Sequence, residues 1–351
     1  MAYQNVGTPR FYTNDLLLGH SLGLELPSPH EENEPSDLNW ITNPSNINHL
    51  ADFGVGITTA NSNFARPLTT SAGRPNYIAL LGHNFGTTGV GLRHTYRTFY
   101  NEWNGGNGIT QNFINGNFGS IQSDAQYLKP ENDGFSICSI GGDNADANTG
   151  WYGWTRLQIR KPDDVSITTQ EGIPTFGAIF VGRYFDMPNS PDLSLSLTRE
   201  YDGIKQVKTR GGATLSNATY TSPPKWGDLP AWQIGEGSGT RTGRRVWDLS
   251  FRYVSDSDLM GENEMFSSYK DGVSSPDNGS GFSTTLSDSN DFFSQVINKT
   301  QGGHLEFIFQ PDKSVFQPDQ FALARLDMSS FKLTQKANNV YNLKLKIRES
   351  W

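Results

Sequence analysis

Short runs in which apolar and polar residues alternate one by one are the feature that most constrains the fold of this chain. From 247 to 253, and again from 341 to 347, every second residue is apolar or aromatic and the residues between are polar or charged. The same period recurs at 151–160, 193–198 and 305–309. A period of two places alternate side chains on opposite faces of a β-strand. The pattern therefore predicts sheets with one buried face.

Composition supports this interpretation and disfavours three other classes. The 351 residues include 37 Gly and 18 Pro, which fit many turns, and 12% of them are aromatic. A helical bundle would be rich in Ala, Glu, Lys and Leu, and a disordered chain would have few aromatics. A membrane-spanning helix needs about 20 consecutive apolar residues, and no such run occurs. We therefore predict an all-β protein with two β-sandwich, jelly-roll-like domains.

The predicted organisation is an extended N-terminal arm over 1–50 and β-sandwich domains over 51–170 and 171–351. The arm is rich in Pro and Asn, yet it carries aromatic residues that need a surface to pack on. That surface belongs either to the same chain or to a neighbouring one. Helical spacing of apolar residues occurs at 289–299, where we predict one short helix that packs on a sheet.

Cysteine usage and the N-terminal sequence bear on where the protein folds. Cys138 is the single cysteine, so an intramolecular disulfide and a Cys-based zinc site are excluded. The first residues lack the basic and apolar regions of a signal peptide. We expect the chain to be made in a reducing cytoplasm.

The formal charge of −8 disfavours a general nucleic-acid-binding surface, and the charge is unevenly distributed. Residues 199–252 include nine Lys or Arg and five acidic residues, whereas residues 254–292 include eight acidic residues and one Lys. These stretches either pair between neighbouring subunits or form two solvated loops. The candidate assembly contacts are Arg241, Arg244 and Arg245 on one side and Asp256, Asp258, Glu262 and Glu264 on the other.

Signals for catalysis and metal binding are weak. The sequence has no phosphate-binding loop, no dinucleotide fingerprint, no zinc-protease motif and no hydrolase nucleophile elbow. Asp143 with Asp146, and Asp256 with Asp258, have oxygen ligands suited to calcium, but they lack EF-hand spacing and Asp also favours turns. We expect no enzyme activity, no cofactor and no metal, and a structural role for His83.

Aromatic residues beside Gly- and Asn-rich segments form a candidate glycan site. Trp103, Trp151 and Trp154 have rings that can stack on a sugar, and nearby amides can bind hydroxyl groups. The alternative is that these tryptophans fill the core or a subunit interface, where Trp is also enriched.

One run of sequence resembles a known family. The run NYIALLGHNFG at 76–86 resembles the strand and turn of galactose-binding-like sandwich modules in virion proteins of tailed bacteriophages. Further segments are similar to the second half of structural, tail-associated proteins of marine tailed phages, and the resemblance covers most of 75–351. These segments are 177–186, 188–193, 203–214, 243–251, 302–325 and 341–349. It implies a virion component and no catalytic residues.

Together, these observations predict a structural protein of a tailed-phage virion, in the tail tip, hub or fibre adaptor. It would act as a homo-oligomer that contacts other virion proteins and neither nucleic acid nor membrane. The alternatives are a receptor-binding tail protein that recognises a host surface glycan, a capsid decoration protein and a glycan-degrading enzyme.

Overall fold

A computed structural model gives the fold, and its description covers part of the chain. The described residues are 6–21, 55–56, 62–67, 77–89, 91–97, 120–121, 128–129, 133–139, 154–160, 175–176, 178–192, 196–200, 204–218, 244–260, 290–317, 320–327 and 330–350.

These residues form mostly strands, with a few short helices, which confirms the all-β class. The strands are β1 (Arg10–Thr13), β2 (Val55–Gly56), β3 (Ser62–Pro67), β4 (Tyr77–His83), β5 (Gly91–Arg97), β6 (Ser120–Ile121), β7 (Leu128–Lys129), β8 (Gly134–Ser139), β9 (Trp154–Arg160), β10 (Thr175–Phe176), β11 (Ala178–Gly182), β12 (Tyr184–Asp186), β13 (Ser196–Glu200), β14 (Ile204–Lys208), β15 (Thr214–Ala218), β16 (Arg244–Ser255), β17 (Phe307–Gln310), β18 (Ala322–Leu326), β19 (Leu333–Ala337) and β20 (Val340–Glu349). The helices are α1 (Asp15–Ser21), α2 (Phe85–Thr88), α3 (Asp256–Leu259) and a π-helical segment, π1 (Phe293–Asn298).

The largest sheet has eight antiparallel strands in the order β12-β1-β17-β18-β20-β16-β13, and β19 also pairs with β20. The longest strands, β16 and β20, pair from Val246 with Arg348 to Ser255 with Val340. The alternation in sequence explains their burial, because Trp247, Leu249 and Phe251 are buried whereas the intervening Asp248 and Arg252 are exposed.

The beginning of the predicted N-terminal arm is an interior strand of this sheet. β1 pairs with β12 on one side and with β17 on the other, so both of its edges are hydrogen bonded. Phe11 is buried and lies 5.3–5.6 Å, between ring centroids, from Phe292, Phe307 and Phe309. At least residues 10–13 of the predicted arm therefore belong to the protein's own core.

Three smaller sheets and a hairpin complete the described fold. The three-stranded sheet has the order β11-β4-β8, the five-stranded sheet β3-β9-β5-β7-β6, and the two-stranded sheet β10-β2, while β14 pairs with β15. β11 pairs with β4 over five residues, and β10 pairs with β2. These pairs cross the domain boundary predicted at 170, so residues 175–182 add strands to sheets that begin in the first predicted domain.

The central strands of the large sheet are buried on both faces. One face, which includes Phe11, Phe307 and Phe309, packs against residues of π1. The other face packs against the three-stranded sheet in a second core cluster: Tyr12, Ile308, Phe321 and Leu323 with Tyr77, Ala79, Leu81, Phe135, Ile137, Ala178 and Phe180. Adjacent residues in β1, β17 and β18 thus belong to different clusters, which explains why these short strands read as nearly continuous apolar runs.

The helix predicted at 289–299 is present, but it is shorter and of the π type. The Asp291 carboxylate accepts a hydrogen bond of 2.8 Å from the Ser294 amide at its start, and Phe292, Val296 and Ile297 pack on the large sheet as predicted. The residue after it, Lys299, is buried and lies 2.8 Å from the Asp15 carboxylate of α1. Burial raises the pKa of Asp15, and the Lys299 ammonium partly offsets that effect.

Close approach of the backbone fixes a glycine where β1 meets β11. A Cβ atom on Gly182 would clash with the carbonyl oxygen of Thr13, so any larger residue would push β1 away. The buried Tyr77 hydroxyl donates a 2.7 Å hydrogen bond to the same oxygen. Among the described residues, no helix has the length and apolar character needed to cross a membrane.

Candidate interaction surface

The hairpin β14–β15 contains a long exposed segment. Its two strands pair from Ile204 with Ala218 to Lys208 with Thr214, and neither pairs with a further strand in the described ranges. Every residue from 206 to 216 is exposed. A two-stranded hairpin has little stability in water by itself. A hairpin of this kind gains stability when a partner covers one of its faces.

Local chemistry explains how the hairpin turns. Between the paired residues Thr209 and Ala213, the Thr209 amide donates to the Ala213 carbonyl at 2.8 Å, and the Ala213 amide donates to Thr209 Oγ1 at 3.1 Å. Gly212 has a φ of 86°, a conformation that only glycine adopts without strain. A three-residue loop closed by such a glycine is a common hairpin turn.

One face of the hairpin carries an exposed apolar pair. Val207 and Leu215 are cross-strand partners, so they lie on the same face, and each is 61% exposed. The opposite face carries the polar pair Gln206 and Ser216. Contiguous apolar surface that is exposed to solvent marks sites of contact with another molecule in many proteins.

The hairpin is also positively charged within an acidic chain. Residues 204–218 contain three basic residues, Lys205, Lys208 and Arg210, and no Asp or Glu. Lys208 and Arg210 are exposed beside the turn. A surface that combines an apolar pair with basic neighbours suits a partner that is apolar at its centre and acidic at its rim.

A second exposed apolar surface follows the end of β16, and we call it the α3 patch: Tyr253, Asp256, Asp258 and Met260. The Tyr253 side chain is 75% exposed and Met260 is 42% exposed. Tyr253 has a φ of 58° and lies in a β-bulge between Phe251 and Val254. A bulge changes the direction of a side chain relative to the alternation of the strand. The left-handed backbone of Tyr253 is a strained conformation, and strained residues cluster at functional sites.

The predicted assembly residues occupy different environments. Arg245 is only 2% exposed, and its guanidinium binds Glu349 of β20 at 2.9 Å and the Phe321 carbonyl at 2.7 Å. It is therefore inaccessible to a neighbouring subunit, contrary to the expectation from sequence. Arg244 is half-buried and pairs with Glu200 in the sheet register.

The predicted acidic partners fall partly within the α3 patch. Asp256 is exposed, and Asp258 accepts a 2.6 Å hydrogen bond from Ser255 Oγ, which also caps α3 by accepting from the Asp258 amide. Arg241, Glu262 and Glu264 lie outside the described residues. Asp256 and the half-buried Asp258 lie within five residues of the exposed Tyr253 and Met260 along the chain, and charge counting alone did not indicate these exposed apolar side chains.

The candidate glycan and calcium residues are only partly covered by the description. Trp103 and Trp151 lie outside it, as do Asp143 and Asp146, and for Trp154 it gives the backbone position at the start of β9. No group of three or more potential metal ligands occurs in the described part of the chain. The glycan site remains a prediction.

A buried His–Ser pair has the composition of a catalytic dyad but the wrong proton arrangement. The Phe85 amide donates to His83 Nδ1 at 3.2 Å, so the ring proton resides on Nε2, which donates to Ser136 Oγ at 2.8 Å. A general base must instead accept the serine proton. Burial lowers the pKa of His83 to about 4. In this arrangement the pair stabilises the join between β4, α2 and β8.

Comparison with known proteins adds no family to these observations. No family model matches the chain, and neither a curated protein nor a solved structure matches it.

Proposed function

We propose that the protein is a structural component of a tailed-phage virion and that it is a tail protein of the tip, hub or fibre adaptor. It acts by homo-oligomeric assembly, without catalysis, and it is incorporated into the particle after synthesis in the host cytoplasm. The observation that carries the assembly role is the hairpin β14–β15, whose apolar pair faces solvent at 61% exposure. The virion assignment rests on the sequence resemblance at 76–86 and the segments that follow it.

The environments of the buried polar residues are consistent with an assembly role. The ion pairs Arg245–Glu349 and Lys299–Asp15 connect elements of the core, and His83 and Ser136 bind each other. Each of these pairs is accounted for by a contact within the fold. Within the described part of the chain, Val207 and Leu215 belong to neither core cluster. Binding to another surface is therefore the role that the chemistry of this hairpin suits best.

For the fold, we propose that the sheets pack as two β-sandwich, jelly-roll-like units. Support comes from the second core cluster, in which side chains of the three-stranded and eight-stranded sheets pack together. In this arrangement β10 and β11 contribute to the first unit, although they follow the predicted boundary at 170. Sandwich folds place polar loops and hairpins at their ends, where they are available for contacts with neighbours.

The association state of the purified chain tests the assembly role. We expect the wild-type protein to form oligomers in sedimentation velocity experiments as its concentration increases. Replacing the apolar pair by Val207→Ser with Leu215→Ser should raise the apparent dissociation constant about tenfold or more, because desolvation of this pair drives the contact. The matched control is Gln206→Ser with Ser216→Ala, which changes the opposite face of the same hairpin.

Two outcomes would contradict the assembly role: a wild-type chain that stays monomeric, or an apolar-pair variant that associates like the control. The place in the particle is tested separately by antibody labelling of intact phage. Labelling of the tail supports the tail assignment, whereas labelling of the capsid favours decoration. The receptor-binding alternative predicts saturable binding of the full chain to host cells that is lost in Trp103→Ala or Trp151→Ala.

A further inference from the structure

We infer that the hairpin β14–β15 of one copy docks on the α3 patch of a second copy, so that the chain assembles head to tail. This inference rests on the proposed function, because it names the partner of the hairpin through which we propose assembly. It goes further by assigning the receiving surface and the symmetry of the contact.

The distribution of exposed apolar side chains is the first argument. Among the described residues, four large apolar side chains are exposed, and they fall into two places: Val207 and Leu215 on the hairpin, and Tyr253 and Met260 on the α3 patch. All four remain accessible in the single chain, so the hairpin does not cover the patch of its own copy. Contact between two copies would cover all four at once.

Charge complementarity is the second argument. The hairpin carries three basic residues and no acid between 204 and 218, whereas 253–260 contains Asp256 and Asp258 and no basic residue. The adjacent cation, Arg252, lies 2.9 Å from the Asp192 carboxylate, which offsets its charge. Opposite charges around an apolar centre favour this pairing and disfavour contact between two identical hairpins.

Side-chain chemistry on the two surfaces is also compatible. The exposed Tyr253 ring presents an aromatic face, and Arg210 lies at the exposed tip of the hairpin. A guanidinium over a tyrosine ring gains a cation–π attraction in addition to its ion pairs. The β-bulge and left-handed backbone at Tyr253 hold this ring outside the sheet, where a second copy can reach it.

The contact has a definite symmetry. Because the two surfaces differ, the interface is heterologous, and repeated use of it generates a ring or a helical filament. The exposed hairpin supplies only the eleven residues from 206 to 216, fewer than the about 20–30 residues a side of a standard interface. We therefore expect weak pairwise association that is strengthened when a ring closes.

A charge exchange between the two surfaces tests the inference. Arg210→Glu and Asp256→Arg should each raise the apparent dissociation constant of the oligomer about tenfold. The chain that carries both substitutions should recover most of that loss, because the exchanged pair attracts again. Lys332→Glu, an exposed charge reversal in the segment before β19, is the control and should leave association unchanged.

Directed cross-linking tests the same contact without relying on charge. In a Cys138→Ala background, one preparation carries Leu215→Cys and the other Met260→Cys, with tags of different mass. Mixing them under mild oxidation should give the mixed disulfide as the main product. Each preparation alone should give little disulfide dimer, because the proposed contact does not bring two hairpins or two patches together.

The outcomes separate this inference from the function on which it rests. If Arg210→Glu weakens association while Asp256→Arg has no effect and no mixed disulfide forms, the hairpin binds a different surface and this inference is overturned, but the assembly role stands. A chain that remains monomeric contradicts both. Rescue by the double substitution, together with the mixed disulfide, supports both.

Discussion

At the scale of single residues, one backbone amide decides the chemistry of the buried His83. The Phe85 amide occupies Nδ1 and leaves Nε2 to donate to Ser136, so the neutral ring satisfies both of its nitrogens within the fold. Protonation would place a second proton on Nδ1 and break the bond to the Phe85 amide. Burial also disfavours the cation, and together these effects make His83 a source of acid sensitivity.

The low pKa of His83 predicts how stability depends on pH. The pKa is about 4 in the folded state against an ordinary value of 6.5, so the unfolded chain binds the extra proton first. The contribution of His83 to stability is complete above pH 6.5 and decreases as pH falls towards 4, by about 3 kcal/mol. We expect the destabilisation caused by His83→Asn, measured by urea unfolding, to shrink by about that amount between pH 7.5 and pH 4.

The control for this measurement is His304→Asn, because His304 is exposed. It should leave the pH profile of the wild type nearly unchanged. A His83→Asn variant that loses stability towards pH 4 as steeply as the wild type would contradict the assignment of this acid sensitivity to His83.

The pair Arg245–Glu349 shows that a basic residue within a highly charged segment of the sequence can be buried. Both side chains are buried and the guanidinium also lies 5.2 Å from the centre of the Trp247 ring. Arg245→Met leaves the Glu349 carboxylate buried without its cation, which should lower the free energy of unfolding by about 3–5 kcal/mol. The double substitution Arg245→Met with Glu349→Leu removes both charges and should cost less than Arg245→Met alone.

The surface pair for comparison is Arg252 and Asp192. Arg252 Nε lies 2.9 Å from Asp192 Oδ2, and the arginine side chain is mostly exposed. Arg252→Met should lower the free energy of unfolding by less than about 1 kcal/mol, because water screens this pair. Guanidinium chloride unfolding of the three variants measures the contrast. Equal losses for Arg245→Met and Arg252→Met would show that the interior pair is no more important than the exposed one.

At the scale of secondary-structure elements, β1 is the strand whose loss should matter most. It pairs on both sides and contributes Phe11 to one core cluster and Tyr12 to the other. Deleting residues 1–14 would expose the edges of β12 and β17 and leave a cavity in each cluster. We expect the truncated chain to lack a cooperative unfolding transition and to aggregate, as judged by circular dichroism and light scattering.

The control for this deletion is a substitution that alters the same segment without affecting its pairing. Thr8→Ala precedes β1 and removes a hydroxyl that contacts Ser190 at 3.1 Å in an exposed position. It should retain the wild-type transition. A truncated chain that unfolds cooperatively at the wild-type midpoint would indicate that β1 is dispensable.

The period of two in the sequence predicted the strands whose faces differ in polarity, such as β16 and β20. It could not place β1, because a four-residue strand buried on both faces has no alternation and is flanked by polar residues. It also could not distinguish a π-helix from an α-helix at 289–299, since both bury Phe292 and Val296. Which strands pair across 170 depends on contacts distant in sequence, and no local pattern encodes them.

The sequence predicts the charge of the proposed interaction surface but not its geometry. The excess of basic residues after 199 and of acidic residues after 254 left open either pairing between neighbouring subunits or two solvated loops. Burial of Arg245 depends on Glu349, 104 positions away, so charge counting could not separate it from Lys208 or Arg210. The Gly-Gly pair at 211–212 between alternating residues was the local signal for the hairpin that carries the exposed charges.

At the scale of the whole molecule, the proposed assembly requires one chain to carry both halves of a contact, and both halves are exposed in the single copy. The hairpin and the α3 patch are each exposed, and each matches the other in polarity and charge. A chain with two different binding surfaces adds copies in one direction until a ring closes or a filament grows. The orientation of each copy is then fixed by its neighbours, which suits a component of an ordered particle.

A head-to-tail contact predicts an outcome for a mixture of two variants that a symmetric contact would not give. A hairpin variant, Val207→Asp with Leu215→Asp, keeps its α3 patch, and a patch variant, Tyr253→Asn with Met260→Asp, keeps its hairpin. Asn is chosen because it tolerates the left-handed φ of 58° at position 253.

Each variant alone should be monomeric, since it has only one of the two surfaces. An equimolar mixture should form heterodimers and no larger assemblies. In each heterodimer the intact hairpin and the intact patch bind each other, and the two surfaces that remain free are the substituted ones. Native mass spectrometry with one partner isotopically labelled distinguishes the outcomes. Larger assemblies in the mixture, or homodimers of either variant, would show that the contact between copies is not the head-to-tail one.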